Sequence, residues 1–138
     1  MDSATLVQLL RDARRHELRA FEDLADDQLL GERAHHLEPP LWEMGHVAWF
    51  QEYWILRHLD GAEPLLPEGD GMYDAFHVSY KKRWSHDFPT RDETLAYANA
   101  VLERCAARLS NYAASAEDEY FYRLAALHEG MHTENLLG

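Results

Sequence analysis

The chain has 138 residues and a formal charge of -12, from 25 acidic against 13 basic side chains. That length supports one core of helix-bundle size rather than two, and 46% hydrophobic with 12% aromatic residues excludes a largely disordered chain. The acidic excess repels phosphate backbones and so disfavours nucleic acid as a partner, the one basic run being Lys81-Lys82-Arg83.

No apolar stretch approaches the length of a membrane span, and the start has no apolar leader-like run. The single Cys105 can form no internal disulfide, so a reducing, cytoplasmic setting is expected.

In chain order, Leu6, Leu9, Leu10, Ala13, Leu18, Phe21 and Leu24 recur at helical period and predict a first helix from Ser3 to about Leu24. Residues 25–38 mix acids with Gly31 and His35-His36 and predict a connection. Pro39-Pro40 suits a helix start, because proline loses no hydrogen bond in the first turn. The helix that follows, to about Leu59, is dense in aromatics and closes at Asp60-Gly61.

Residues 60–89 hold Pro64, Pro67 and Pro89 and show no clean period. They predict a long aromatic-bearing loop, a feature that is usually functional in a compact domain. Thr90-Arg91-Asp92-Glu93 matches a capping box and starts a third helix, with Leu95, Ala98, Leu102, Cys105 and Leu109 along one stripe. Ser115-Ala116-Glu117-Asp118 starts the last helix in the same way, with Phe121, Leu124, Leu127, His128 and Met131 expected to face inward. The predicted fold is all-α: a four-helix bundle with a long loop between helices 2 and 3.

Nine histidines are many for this length. His16, His35, His36 and His58 stand among charged neighbours and read as solvated, while His77 and His86 lie in the aromatic loop. His128 and His132 lie four apart on a helix, about 40° around its axis and about 6 Å along it, so both rings can meet one ion. His46, after Gly45 and among Met44, Val47, Trp49 and Phe50, is also expected to be buried.

Three unpaired inward imidazoles are costly to bury, and a shared metal removes that cost. His128-Glu129-x-x-His132 also spells the zincin pattern, in which the glutamate is a general base. The chain leaves little room downstream for a third ligand, and Gly130 weakens that helix, so Glu129 is expected to be an exposed or supporting carboxylate. Three histidines leave zinc and iron(II) both open.

Pro39-Pro40-Leu41-Trp42-Glu43-Met44-Gly45-His46-Val47-Ala48-Trp49-Phe50-Gln51-Glu52-Tyr53-Trp54 closely resembles the ligand helix of the ergothioneine-type sulfoxide synthases. Leu127-His128-Glu129-Gly130-Met131-His132-Thr133-Glu134 does so as well, and the likeness extends through Met72-Tyr73-Asp74, Arg83-Trp84 and Phe88-Pro89. The family also contains selenoneine and ovothiol synthases.

The resemblance implies a DinB-like iron-binding domain over residues 1–138, followed in the family by a larger domain resembling formylglycine-generating enzyme. It implies non-haem Fe(II) and O2, joining sulfur or selenium to the imidazole carbon of histidine or of its trimethylated form, hercynine. His46, His128 and His132 match the family's iron ligands. Arg83, Lys82 and Tyr80 fall where the family binds its thiol or selenol substrate. Lysines and a tyrosine replace further arginines there, and lysine does not reproduce bidentate carboxylate recognition, so a sugar-linked selenium donor stays open beside γ-glutamylcysteine.

The second domain, which in the family holds hercynine and an active-site tyrosine, does not follow in this sequence. The expectation is therefore an N-terminal part of an oxidoreductase that binds metal and is inactive alone. Two alternatives stand beside it: a free-standing DinB-like metal-dependent thiol S-transferase, and a structural module without metal.

Overall fold

The computed structural model describes residues 1–24, 39–76, 83, 88–110 and 113–137. Its helices are α1 (Ser3–Glu22), α2 (Pro40–Gln51), α3 (Gly69–Tyr73), α4 (Arg91–Arg108) and α5 (Ala116–Leu137), and α2 runs on into a π-helical segment, Glu52–His58. No strand occurs among the described residues. The four long helices form the expected bundle, with α1 packed along α5 and α2 along α4. The short α3 lies inside the long loop and leans on α2.

The helix ends follow local chemistry. Asp2 caps α1 by accepting from the Thr5 amide at 2.8 Å. Pro40 opens α2, where its missing N–H costs nothing. At α4 both halves of the capping box form: Thr90 Oγ1 accepts from the Glu93 amide at 3.2 Å, and Glu93 accepts from the Thr90 amide at 2.9 Å. Ser115 and Asp118 cap each other in the same reciprocal way at 3.0 Å at the start of α5.

The described residues form three apolar clusters. One joins Leu6, Leu10, Ile55, Val101, Cys105, Leu109 and Tyr122; a second joins Phe21, Leu41, Met44, Val47, Ala98 and Leu136; a third is Trp42, Trp49 and Tyr73. Pro40 to Trp49 are all buried, as expected of a helix surrounded by neighbours on every side.

Two expectations need correcting. On α1 the buried stripe is Leu6, Leu10, Arg14, Glu17, Ala20 and Phe21, so two charged residues occupy its middle. On α5 the inward positions are Tyr122, Ala125, Glu129 and Leu136, whereas Leu127 and Met131 are each 67% exposed. The inward face is rotated by about one residue, because charged partners in the core pull Glu129 in. Glu129 is thus not exposed: it accepts from Arg14 Nε at 2.7 Å, with both side chains buried.

Arg14 also donates to the Ala98 carbonyl at 2.6 Å and to Gln51 Oε1 at 3.3 Å, joining all four long helices through one guanidinium. Glu17 sits beside this layer, and burial together with the neighbouring Glu129 carboxylate raises its pKa well above the usual carboxylate value. Held as an acid, Glu17 can share its proton with the Glu129 Oε1 that lacks a donor.

Candidate metal centre

His46 reaches the interior from the middle of α2, and His128 and His132 from the last three turns of α5. The three rings meet: Nε2 of His128 lies 3.2 Å from Nε2 of His46 and 3.2 Å from Nε2 of His132. The candidate ligand atoms all fall within 4.8 Å of one another, and this trio can hold a metal ion.

The far sides of two rings fix their tautomers. His46 Nδ1 is 2.7 Å from the Tyr73 carbonyl, which can only accept, so Nδ1 carries the hydrogen and Nε2 presents its lone pair. His132 Nδ1 likewise donates to Glu43 Oε1 at 2.7 Å. His128 Nδ1 is buried with no partner; that ring is held by Phe50, stacked at 3.7 Å between centroids. Trp42 stacks on His46 at 4.6 Å.

Burial, followed by its histidine neighbours, lowers His128 to about 2; burial lowers His46 to about 4 against a partial offset from the Tyr73 carbonyl. Both rings are therefore neutral near pH 7, as metal ligands must be. Two 3.2 Å nitrogen–nitrogen contacts, with lone pairs from His46 and His132, leave at most one ring hydrogen to serve them. A cation satisfies all three nitrogens at once, so the donor set fits a metal.

Short contacts brace the site from one side. Trp42 Nε1 donates to the Met72 carbonyl and Trp49 Nε1 to Asp70, each at 2.7 Å, with Arg57 paired to the same Asp70. Gly45 lets the Tyr73 ring lie on the α2 backbone, where a Cβ would run into it. The face Trp42–His46–Trp49, one turn apart each time, therefore clamps residues 70–73 and aims the Tyr73 carbonyl at His46.

Above the histidines opens a cavity of about 470 Å³ walled by Trp49, Phe50, Tyr53, Trp54, Phe76 and Met131. Its rings give the nitrogens one largely apolar side. At its edge the Arg83 guanidinium lies 4.5 Å over the Trp42 ring and donates to the Ala75 carbonyl at 2.6 Å. Arg83 is thus beside the site; Lys82 and Tyr80, expected to act with it, lie outside the described residues, as do His35, His36, His77 and His86. His16 and His58 are exposed, as expected.

Sequence reasoning missed Glu43 and the Tyr73 carbonyl. A backbone carbonyl leaves no mark in a sequence. Glu43 did leave one: it is the single acidic residue between Pro39 and Phe50, three positions before His46 and fully buried.

Comparison with known families agrees with this architecture. Residues 9–136 match the DinB superfamily, and the chain belongs to it. It is similar to the hercynine oxygenase of Mycolicibacterium smegmatis, at 33% identity over 96% of this chain and 31% of that protein. It is similar also to the hercynine oxygenase of Mycobacterium tuberculosis, at 31% identity over 93% of this chain and 30% of that protein. The chain thus spans about a third of the length of the curated relatives it matches. No helix among the described residues is long and apolar enough to cross a membrane.

Proposed function

We propose that this chain is the iron(II)-binding domain of an O2-dependent synthase that joins sulfur or selenium to the imidazole carbon of hercynine, in a cytoplasmic setting. The observation that carries the reading is the convergence of three Nε2 atoms, two with tautomers fixed from behind, beside an aromatic cavity. The resemblance of the ligand helix and the similarity to hercynine oxygenases support the choice of reaction.

His46, His128 and His132 would hold the iron. Bound there, ferrous iron would supply the redox chemistry for O2 and the thiol. The overall balance is one thiol, one imidazole C–H and one O2 giving a sulfoxide and one water.

The rest falls to the protein. Trp42 and Phe50 hold two of the rings in plane contact, and the aromatic wall makes the reacting side largely apolar. Arg83, with Lys82 and Tyr80, would hold the polar end of the thiol or selenol substrate. Its guanidinium is already stacked on Trp42, and so is pre-organised to meet an anionic group. Binding of hercynine itself is assigned to a further domain of the formylglycine-generating-enzyme type, so the chain alone is expected to bind metal and turn over little.

The test is anaerobic reconstitution with iron(II), followed by addition of nitric oxide as an O2 surrogate. About one ferrous ion per chain, giving an S = 3/2 nitrosyl signal that a thiol ligand alters, is the expected result. A protein that takes up zinc or nickel but no ferrous iron would instead point to the thiol S-transferase alternative. Unchanged metal content in the His46, His128 and His132 alanine variants would leave only a structural module.

A further inference from the structure

We infer that Glu43 is a positioning residue that makes the three histidines unequal, turning His132 into the strongest donor and supplying negative charge for a cation inside the bundle. The inference rests on metal binding at His46, His128 and His132 and assumes nothing about the reaction.

The difference lies behind the rings. His46 gives its Nδ1 hydrogen to a neutral carbonyl. His132 gives its own to a carboxylate oxygen, which Asn135 holds from a second direction at 2.9 Å. His128 gives nothing. An imidazole that donates to an anion gains electron density at its other nitrogen; a neutral acceptor adds less, and no acceptor adds none. The donor order follows as His132, then His46, then His128.

The charge argument is independent of that order. Glu43 is 0% exposed, and its Oε1 accepts from His132 and Asn135, neither a permanent cation. Among the described residues the one buried arginine, Arg14, is committed to Glu129, Ala98 and Gln51. A buried carboxylate without a counter-charge is costly. A divalent ion on the far side of His132 is the charge this carboxylate lacks, and the carboxylate offsets half of what three neutral ligands would leave unbalanced. A carboxylate that merely tied α2 to α5 would need no charge, since an amide holds the same bonds.

The experiment is metal titration of wild type and Glu43→Gln, with cobalt(II) absorption and competitive zinc binding as readouts. Glu43→Gln keeps the shape and an acceptor oxygen but drops the charge. The expected result is metal affinity about 10–100-fold weaker, a shifted cobalt d–d band, and a metal-free protein that melts no lower than wild type. Affinity within about twofold of wild type, with the band unmoved, overturns the inference.

Should Glu43→Gln not fold, zinc-loaded wild type still decides. The Nδ1 hydrogen of His132 should resonate furthest downfield of the ring hydrogens, and coincidence with that of His46 overturns the inference. Wild type that binds no metal would instead defeat the metal reading itself, a separate outcome.

Discussion

Arg14 and Glu129 meet at 2.7 Å in the middle of the bundle, 115 positions apart in the chain and one residue from His128. The pair sets the rotation of α5, and therefore where both of its histidines point. Gln51 on α2 and the Ala98 carbonyl on α4 tie that rotation to the rest of the fold through the same guanidinium.

Removing Arg14 alone leaves Glu129 buried without its partner. Arg14→Leu is expected to cost about 3–5 kcal/mol in urea unfolding, and the double variant Arg14→Leu/Glu129→Leu should recover much of that loss. If the single and double variants lose the same amount, the pair has no special coupling. Metal affinity should fall in both, since His128 and His132 lose their fixed aim.

Gly45→Ala sets a methyl against the Tyr73 ring. The ring must move, and with it the carbonyl that accepts from His46. A loss of about 1–3 kcal/mol is expected from the overpacking, together with weaker metal binding. Unchanged unfolding and unchanged affinity would show that residues 70–73 do not brace the site.

Glu17 gives a pH prediction. Its folded pKa is raised by burial and by the Glu129 carboxylate, so the folded state binds the proton more tightly than the unfolded one. Its contribution is therefore most favourable below the unfolded value, about 4.5, and is lost as pH rises through the raised folded value. Glu17→Gln imitates the protonated acid, and should raise the melting temperature at neutral pH with little effect near pH 4. A fall in melting temperature at neutral pH would contradict this.

Arg83→Ala is expected to cost folding about 0.5–1.5 kcal/mol, the size of the hydrogen bond to Ala75 and the contact with Trp42 that it loses. It should weaken the thiol-induced change in the ferrous nitrosyl signal by about 1.5–3 kcal/mol in apparent affinity, the size of a charge-assisted hydrogen bond. Arg83→Lys should not restore it, because an ammonium offers no planar fork. Full rescue by lysine would reduce Arg83 to a point charge.

Much of the architecture was legible in the order of residues. The capping box at Thr90, the prolines before α2 and the stripe Ala98–Leu102–Cys105 each act within a few residues, where helix geometry relates position to direction. The spacing of His128 and His132 is of that kind, and so is the likeness around His46. What the order of residues could not settle was which face of α5 turns inward: Leu127 and Met131 are apolar yet exposed, and Glu129 is charged yet buried. Hydrophobic periodicity ranks faces by transfer from water and is blind to a carboxylate whose desolvation a distant arginine offsets. The same holds for Glu43 and the Tyr73 carbonyl, which act on His132 and His46 across 89 and 27 positions. Sequence alone determined that two histidines share a helix face. Only the packing of α2, α3 and α5 decided that a third joins them and that two of the three are held, each by donating a hydrogen bond to a separate element.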